Sequence, residues 1–219
     1  MSILVISATE MEVREFSKWL ENSEFNREVE FLITGPGAHL TCFHLLIQLC
    51  QKSYDFLWQV GIAGSFHQNQ VGKVFQVEED CFADLGAEDH EDFLDIFSLG
   101  FIDPLSKPFQ EGWLKNSSII PGIEKARGIS LNTASGSLKT IQRLKEKYSP
   151  DLETMETASF FHIALMKDIP FLALRSISNL VEPRNRKSWN IPLALQSLNQ
   201  SMIELLPSIL NSFHERTKS

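Results

Sequence analysis

Carboxylates, an amide and two pairs of glycines stand directly behind stretches of this chain that read as buried strands. Glu10 and Glu12 follow ILVIS, Gly35 and Gly37 follow FLI, Gly61 and Gly64 follow FLWQV, Glu156 follows LETM, and Asn179 ends the run ALRSISN. In α/β sheets ligands collect at the carboxyl ends of strands, where turns are tight and backbone is accessible, so binding and reacting groups are expected there. A single Glu past a strand is ordinary surface; the joint placement is the signal. The run turns polar at Ser176, which sets Asn179, Glu182, Arg184 and Arg186 on a predicted loop of an otherwise acidic protein.

Several chemistries lack their signature. GPGAHL has no GxGxxG spacing and GIAGSF has no P-loop lysine, so neither a dinucleotide nor a triphosphate fingerprint is present. The glycines then have two readings, tight strand-to-helix turns or close backbone approach to a small molecule. The acidic run from Glu78 to Asp95 lacks the EF-hand order and is expected to be a solvated loop. His39 and His44 share a predicted helix, His162 sits in the apolar FFHIALM, and no HExxH occurs. Cys42, Cys50 and Cys81 show neither CxxC nor Cys/His spacing, which points to a reduced cytoplasm and away from zinc or a disulfide framework. Ser135 in ASGS is not a GxSxG elbow. No metal and no organic cofactor is expected.

The elements that must carry these residues alternate as in an α/β sheet. Strands are expected at Ile3 to Ile6, Phe31 to Ile33, Phe56 to Val60, Lys73 to Val77, Gly128 to Leu131, Leu152 to Met155 and Phe171 to Ile177. Helices are expected after Thr9, over Leu40 to Cys50, and near 137–148, 156–167 and 193–213, the last kinked or split at Pro207. Residues 103–122, rich in proline and glycine, read as an irregular excursion. With 219 residues, 43% of them hydrophobic, the chain suffices for one domain with one sizeable core. The net charge of −8 repels phosphate backbones, so nucleic acid and anionic membranes are poor partners and a small or neutral ligand fits better. No run reaches eighteen apolar residues, and MSILVISATE lacks a basic leader, so membrane insertion and secretion are not expected.

Taken together, SATEMEV, GIAGSF, FADLGAE, LETMETASFFHIA and LRSISN stand in the order and spacing of the purine nucleoside phosphorylase and nucleosidase superfamily, and the resemblance covers the whole chain. It implies a three-layer α/β/α fold with a mixed central sheet. Within that superfamily, ISNLVEPRNR with Trp189 and Asn190 looks most like the futalosine hydrolases, which release hypoxanthine from futalosine on one route to menaquinone.

The resemblance assigns roles. Glycosidic cleavage passes through a sugar with oxocarbenium character, which calls for negative charge near the ribose, a positioned water and help for the departing base. Glu12 matches the carboxylate that orients and deprotonates the water. Glu156 matches the acceptor of the ribose hydroxyls, with Met155 against the sugar, Gly64 lining the substrate site, and Thr157 where relatives carry a small residue. Asn179 stands where adenine-cleaving nucleosidases carry Asp; an amide offers both an acceptor and a donor and so suits a 6-oxopurine. Arg184 or Arg186 would clamp the substrate's far carboxylate, with pairing to Glu182 or acidic surface as the equal alternative. A Glu in SATEMEV repels phosphate, which favours hydrolysis over phosphorolysis. The resemblance further implies a homodimer or larger, a neighbouring chain closing one end of the site. Alternatives are a nucleosidase for methylthioadenosine, S-adenosylhomocysteine or aminofutalosine, an inosine phosphorylase, and a catalytically silent nucleoside-binding protein. The residue stacking on the base stays open among Phe66, Phe82 and Phe160.

Overall fold

The computed structural model describes residues 1–118 and 120–216, with side chains as far as residue 211. The chain begins with β1 (Ile3–Ser7), α1 (Glu10–Glu21), β2 (Val29–Ile33), α2 (Ala38–Gln51) and a long β3 (Phe56–Ser65). There follow β4 (Val74–Asp80), the hairpin of β5 (Gly86–Asp89) and β6 (Asp92–Asp95), the short β7 (Leu114–Lys115) and β8 (Glu124–Ser130). The last third holds α3 (Leu138–Tyr148), β9 (Leu152–Thr154), α4 (Thr157–Met166), β10 (Phe171–Leu180), a 3-10 turn at Arg186–Ser188, and α5 (Ile191–Arg216).

The main sheet is mixed and runs β10-β4-β8-β9-β3-β1-β2, and β10 also pairs with β3. Strands β3, β10, β4, β8 and β9 therefore close a ring, from which β1 and β2 extend as an open wing. Alternation along the strands sorts the core into two layers. Ile3, Val5, Trp58, Val60, Leu172 and Leu174 face α1 and α5 through Val13, Phe16, Leu198 and Met202. Leu4, Ile6, Leu57, Ala63, Ala173 and Ile177 face α2 and α4 through Leu45, Phe160 and Phe161. Helices thus cover both faces, the three-layer arrangement expected from the alternating pattern. No helix among the described residues is long and apolar enough to cross a membrane.

Four expectations are corrected. β3 does not stop at the glycines but runs through Gly61 and Gly64 to Ser65. β10 likewise continues to Leu180, so Asn179 lies in a strand and not on a loop. Both extensions have one cause: β3 and β10 pair in parallel from Leu57/Phe171 to Ser65/Leu180, and the shared ladder outweighs the low strand propensity of glycine. A register shift between Ile177 and Asn179 brings Asn179 opposite Gly64. The acidic segment from Glu78 to Asp95 is only partly loop, since it contributes the end of β4 and the β5–β6 hairpin, whose residues Gly86 to Asp89 are exposed. Of the kink or split expected at Pro207, the split is overturned: α5 runs on through it, because Met202, Leu206, Ile209 and Leu210 are buried on one face and that burial offsets the hydrogen bond the ring removes. Residues 103–118 and 120–122 are irregular as expected, apart from β7, while residue 119 lies outside the described residues.

One contact ties α5 to the residue that matters most on α1. Asn199, 3% exposed, accepts from the Phe16 N–H at 2.8 Å through Oδ1 and donates through Nδ2 to the Glu12 carbonyl at 3.0 Å. Its amide thereby bridges both ends of one turn of α1. Asn199→Ala leaves these groups without their buried partner, and a loss of about 1–3 kcal/mol in unfolding free energy is expected from urea titration. Unchanged stability would show that α1 is held by its apolar face alone.

Candidate active site

Glu12 is placed by local and distant partners together. Thr9 precedes α1 in extended conformation, and the Glu12 carboxylate reaches back one turn to accept the Thr9 N–H at 2.9 Å and its hydroxyl at 3.2 Å through Oε2. The other oxygen, Oε1, accepts the Ile62 N–H at 3.1 Å. That N–H is available because β3 changes neighbour along one edge. Its first residues, to Gln59, pair with β1, while Gly64 and Ser65 pair with β9, so residues 60–63 have no strand on that side. Glu12 fills the gap. It is 7% exposed, and burial raises its pKa against the opposing pull of Arg175.

Arg175 lies in the middle of β10 and is 1% exposed. Its Nε and Nη2 donate to the Thr157 hydroxyl at 3.2 and 2.9 Å, and Nη1 donates to the Leu174 carbonyl at 3.4 Å. A methyl group on Gly61 would come within 2.7 Å of Arg175 Nη1 and 2.9 Å of Glu12 Oε1. The first glycine of GIAGSF is thus needed because guanidinium and carboxylate converge over its backbone. Burial works against the Arg175 charge, and Glu156, Glu12 and Asp80 sustain it. The Thr157 hydroxyl is the acceptor that fixes the guanidinium.

Glu156 stands at the head of α4, where its Oε1 accepts the Gly37 N–H at 2.9 Å. The GPG turn supplies that donor with Gly35 at φ 79° and Gly37 at φ 96°, a conformation that L side chains rarely adopt. Of the two readings left open for these glycines, the structure shows the tight strand-to-helix turn, and that turn also presents a backbone N–H to Glu156. Met155 is half-buried beside Glu156. Continuing the antiparallel register of Gly64 with Glu153 brings Met155 and Glu156 back along β3 toward Gly61 and Glu12. Asp80, fully buried, lies beside the Ser130 hydroxyl and the Cys81 N–H, which favour its charged form, and packs over Gly128, where a methyl would meet Oδ2 at 2.4 Å.

The other end of the site is formed three residues farther along β3. A methyl on Gly64 would lie 3.3 Å from Asn179 Nδ2 and 2.8 Å from Val181 Cγ2. The Asn179 amide is held by the Ser178 hydroxyl, which donates to Oδ1 at 2.8 Å, and by the Leu180 carbonyl, which accepts from Nδ2 at 2.9 Å. On the opposite flank of Gly64 is Glu153 of β9, 8% exposed. Its Oε1 accepts the Ser135 N–H at 2.8 Å. Three strand residues separate the two groups by about 10 Å.

Arg184 and Arg186 are exposed and neither makes an ion pair among the described residues; the Glu182 carboxylate instead accepts from the Ser188 hydroxyl at 2.8 Å. The structure does not bring them onto Glu12 or Glu156, though Arg184 Cβ is within 3.8 Å of where a Gly136 side chain would begin, over the loop that leads into α3. Among the phenylalanines, Phe160 is fully buried and Phe66 is 5% exposed, so both belong to the core. Phe82 is half-buried and lines a cavity of about 520 Å³ with Ala38, Phe43, Leu46, Ile102 and His162. Sequence reasoning missed Arg175, Glu153 and Asp80. The available signal was a charged residue inside an apolar strand run, FLALRSI, and two carboxylates beside strands read only for their hydrophobicity.

Three carboxylates around one guanidinium cannot all stay ionised at low energetic cost. Complete burial pushes the Asp80 carboxyl from 3.8 up to about 8. Between those values the folded protein binds a proton that the unfolded chain has released, so stability falls as pH rises through this window, by at most about 1.4 kcal/mol per pH unit, and levels off above it. Asp80→Asn should flatten this part of the profile when chemical unfolding is followed from pH 5 to pH 9; a slope identical to the parent protein's would assign the titration elsewhere.

No protein-family profile matches the chain. Over 169 residues it is 31% identical to a futalosine hydrolase of Streptomyces coelicolor, covering 75% of this chain and 71% of that protein. A futalosine hydrolase of Thermus thermophilus is 26% identical over 187 residues, 80% of each chain. Among solved structures, a methylthioadenosine/S-adenosylhomocysteine nucleosidase of Neisseria meningitidis in complex with methylthio-immucillin-A superposes with a TM-score of 0.77 at 16% identity, over 94% of this chain and 99% of the other. The native futalosine hydrolase of Helicobacter pylori superposes with a TM-score of 0.76 at 14% identity, over 95% and 98%. These neighbours share the fold of the nucleoside phosphorylases and hydrolases, and on the strength of the Streptomyces relative the chain belongs to the futalosine hydrolase family.

Proposed function

We propose that this protein hydrolyses the N-glycosidic bond of futalosine, releasing hypoxanthine and dehypoxanthine futalosine in menaquinone biosynthesis. The observation that carries the reading is the two-ended site along β3, with carboxylates at Gly61 and an amide at Gly64. At the first end Glu12 orients a water and takes its proton; burial, which raises its pKa, makes it a stronger base than a free carboxylate. Its activity as base is lost as pH falls through that raised value. Arg175 keeps Glu12 ionised enough to act. Glu156 accepts the ribose hydroxyls, whose hydrogen bonds strengthen as the sugar becomes cationic, and Met155 covers the sugar face.

At the second end Asn179 faces the base, with Gly64 leaving room for it. The amide donates to a carbonyl at position 6, and charge left on the departing base is delocalised onto that oxygen. Carboxylates predominate around the single guanidinium at the sugar end, a field that disfavours inorganic phosphate and supports hydrolysis over phosphorolysis. Arg184 or Arg186, free of ion pairs, closes on the substrate carboxylate. The exposed apolar residues Phe43 and Leu46 on α2, with Ile102 across the cavity, support a second copy of the chain covering this face and completing one end of the site. The three unpaired cysteines suit a reduced, cytoplasmic setting.

The test is chromatographic. Purified protein incubated with futalosine, aminofutalosine, methylthioadenosine and inosine, with and without phosphate, should release hypoxanthine from futalosine independently of phosphate; adenine release alone would overturn the base assignment. Asn179→Asp should lower hypoxanthine release and raise adenine release from aminofutalosine, moving the ratio of kcat/KM values by about tenfold or more. Arg184→Ala and Arg186→Ala should raise KM for futalosine far more than for inosine, and equal effects on both substrates would dispose of the clamp.

A further inference from the structure

Glu153 combines features that the fold does not require of a strand residue. It belongs to a three-residue strand, is 8% exposed, and is held by only one of its two oxygens. The Ser135 N–H satisfies Oε1, while Oε2 is buried with no hydrogen-bond partner. The Ser135 hydroxyl is likewise buried, near enough to the same carboxylate to favour its charged form but without a well-formed hydrogen bond. An acceptor and a hydroxyl donor, joined through one 2.8 Å contact, are thus left open together. Leaving a buried polar group without a partner costs about 1–3 kcal/mol, so a native fold that does so calls for a reason.

The sheet register says which ligand edge they meet. Gly64 pairs with Glu153 on one side and with Asn179 on the other, so the two side chains flank the same glycine on the same face of the sheet. A 6-oxopurine presents N1–H, a donor, next to O6, an acceptor. A 6-aminopurine presents N1 as an acceptor next to a donor amine. The Asn179 amide, fixed by Ser178 and Leu180, reads the group at position 6 and leaves N1 to another side chain. An ionised carboxylate only accepts, and it repels the N1 lone pair of a 6-aminopurine.

Resting on the nucleosidase reading of the site, we propose that Glu153 is a specificity-determining residue, whose free oxygen accepts the N1–H of a 6-oxopurine while the Ser135 hydroxyl donates to O6. Glu153 adds, at N1, a second discrimination against 6-aminopurines to the one that Asn179 makes at position 6. Burial raises the pKa of the Glu153 carboxyl against the opposing pull of the Ser135 hydroxyl and N–H.

The test uses free bases, so that it does not depend on turnover. Binding of hypoxanthine, 1-methylhypoxanthine and adenine to the full-length protein is measured by calorimetry for the parent and for Glu153→Gln. The parent should bind hypoxanthine at least about tenfold more tightly than 1-methylhypoxanthine, the equivalent of about 1.4 kcal/mol. Glu153→Gln keeps an oxygen for the Ser135 N–H and turns its NH2 toward the base, so it should weaken hypoxanthine about tenfold and bring adenine level with it or ahead. Glu153→Ala should remove the discrimination against the methylated base without favouring adenine, which separates base reading from mere anchoring of the 132–137 loop. An unchanged order of the three bases in Glu153→Gln, or no preference for hypoxanthine in the parent, would overturn the proposal. Parallel futalosine cleavage by the parent reports on the nucleosidase reading separately, because a parent that cleaves futalosine while Glu153→Gln keeps the same base order defeats this inference and spares that one.

Discussion

A guanidinium sealed in the protein interior organises this molecule. Arg175 is buried on β10, and around it stand Glu12 from α1, Glu156 from the start of α4 and Asp80 from the end of β4. Each arrives from a different part of the chain, so no one of them can be moved without disturbing the balance of charge. With all four groups ionised the cluster would carry excess negative charge, and burial relieves this by raising the pKa of Asp80 and Glu12. The hydroxyl of Thr157 fixes the guanidinium in place, so the pull on Glu12 has a defined direction.

The backbone leaves a place for that cluster. β3 is paired on one edge with β1 and then with β9, and in the interval its Ile62 N–H is taken by Glu12. This is the position in an α/β sheet where strands part and ligands are bound. Gly61 and Gly64 mark the two ends of the interval, one beneath the ion cluster and the other beneath Asn179. Their lack of a side chain serves close approach of functional groups, not a turn, and it is compatible with the strand because β10 pairs along the whole of it.

Relatives and neighbours make sense of this division. The chain shares a fold with methylthioadenosine/S-adenosylhomocysteine nucleosidases at 16% identity and family membership with futalosine hydrolases at 31%. The ion cluster and the Asn179 amide occupy separate stretches of one strand, so the amide end can change while the carboxylates around Arg175 stay in place. Asn179 and Glu153, on either side of Gly64, are where such change is expected to act.

Much of this was legible in the sequence. The strand and helix alternation, the capping of α1 by Thr9, and the positions of Glu12, Glu156 and Asn179 follow from local pattern, because hydrophobic period and capping chemistry act over a few residues. Other features were decided only when distant segments met. Glycine after an apolar run reads as a stop, and only the ladder with β10 turns it into strand. Arg175 in FLALRSI and Glu153 in LETM carry no local sign of partners, since theirs lie 18 residues away in each case, at Thr157 and Ser135. Local sequence therefore determined the elements and the candidate carboxylates, while tertiary structure alone decided which charges share one low-dielectric interior and which backbone groups remain free to meet them, because both depend on contacts between residues far apart in the chain.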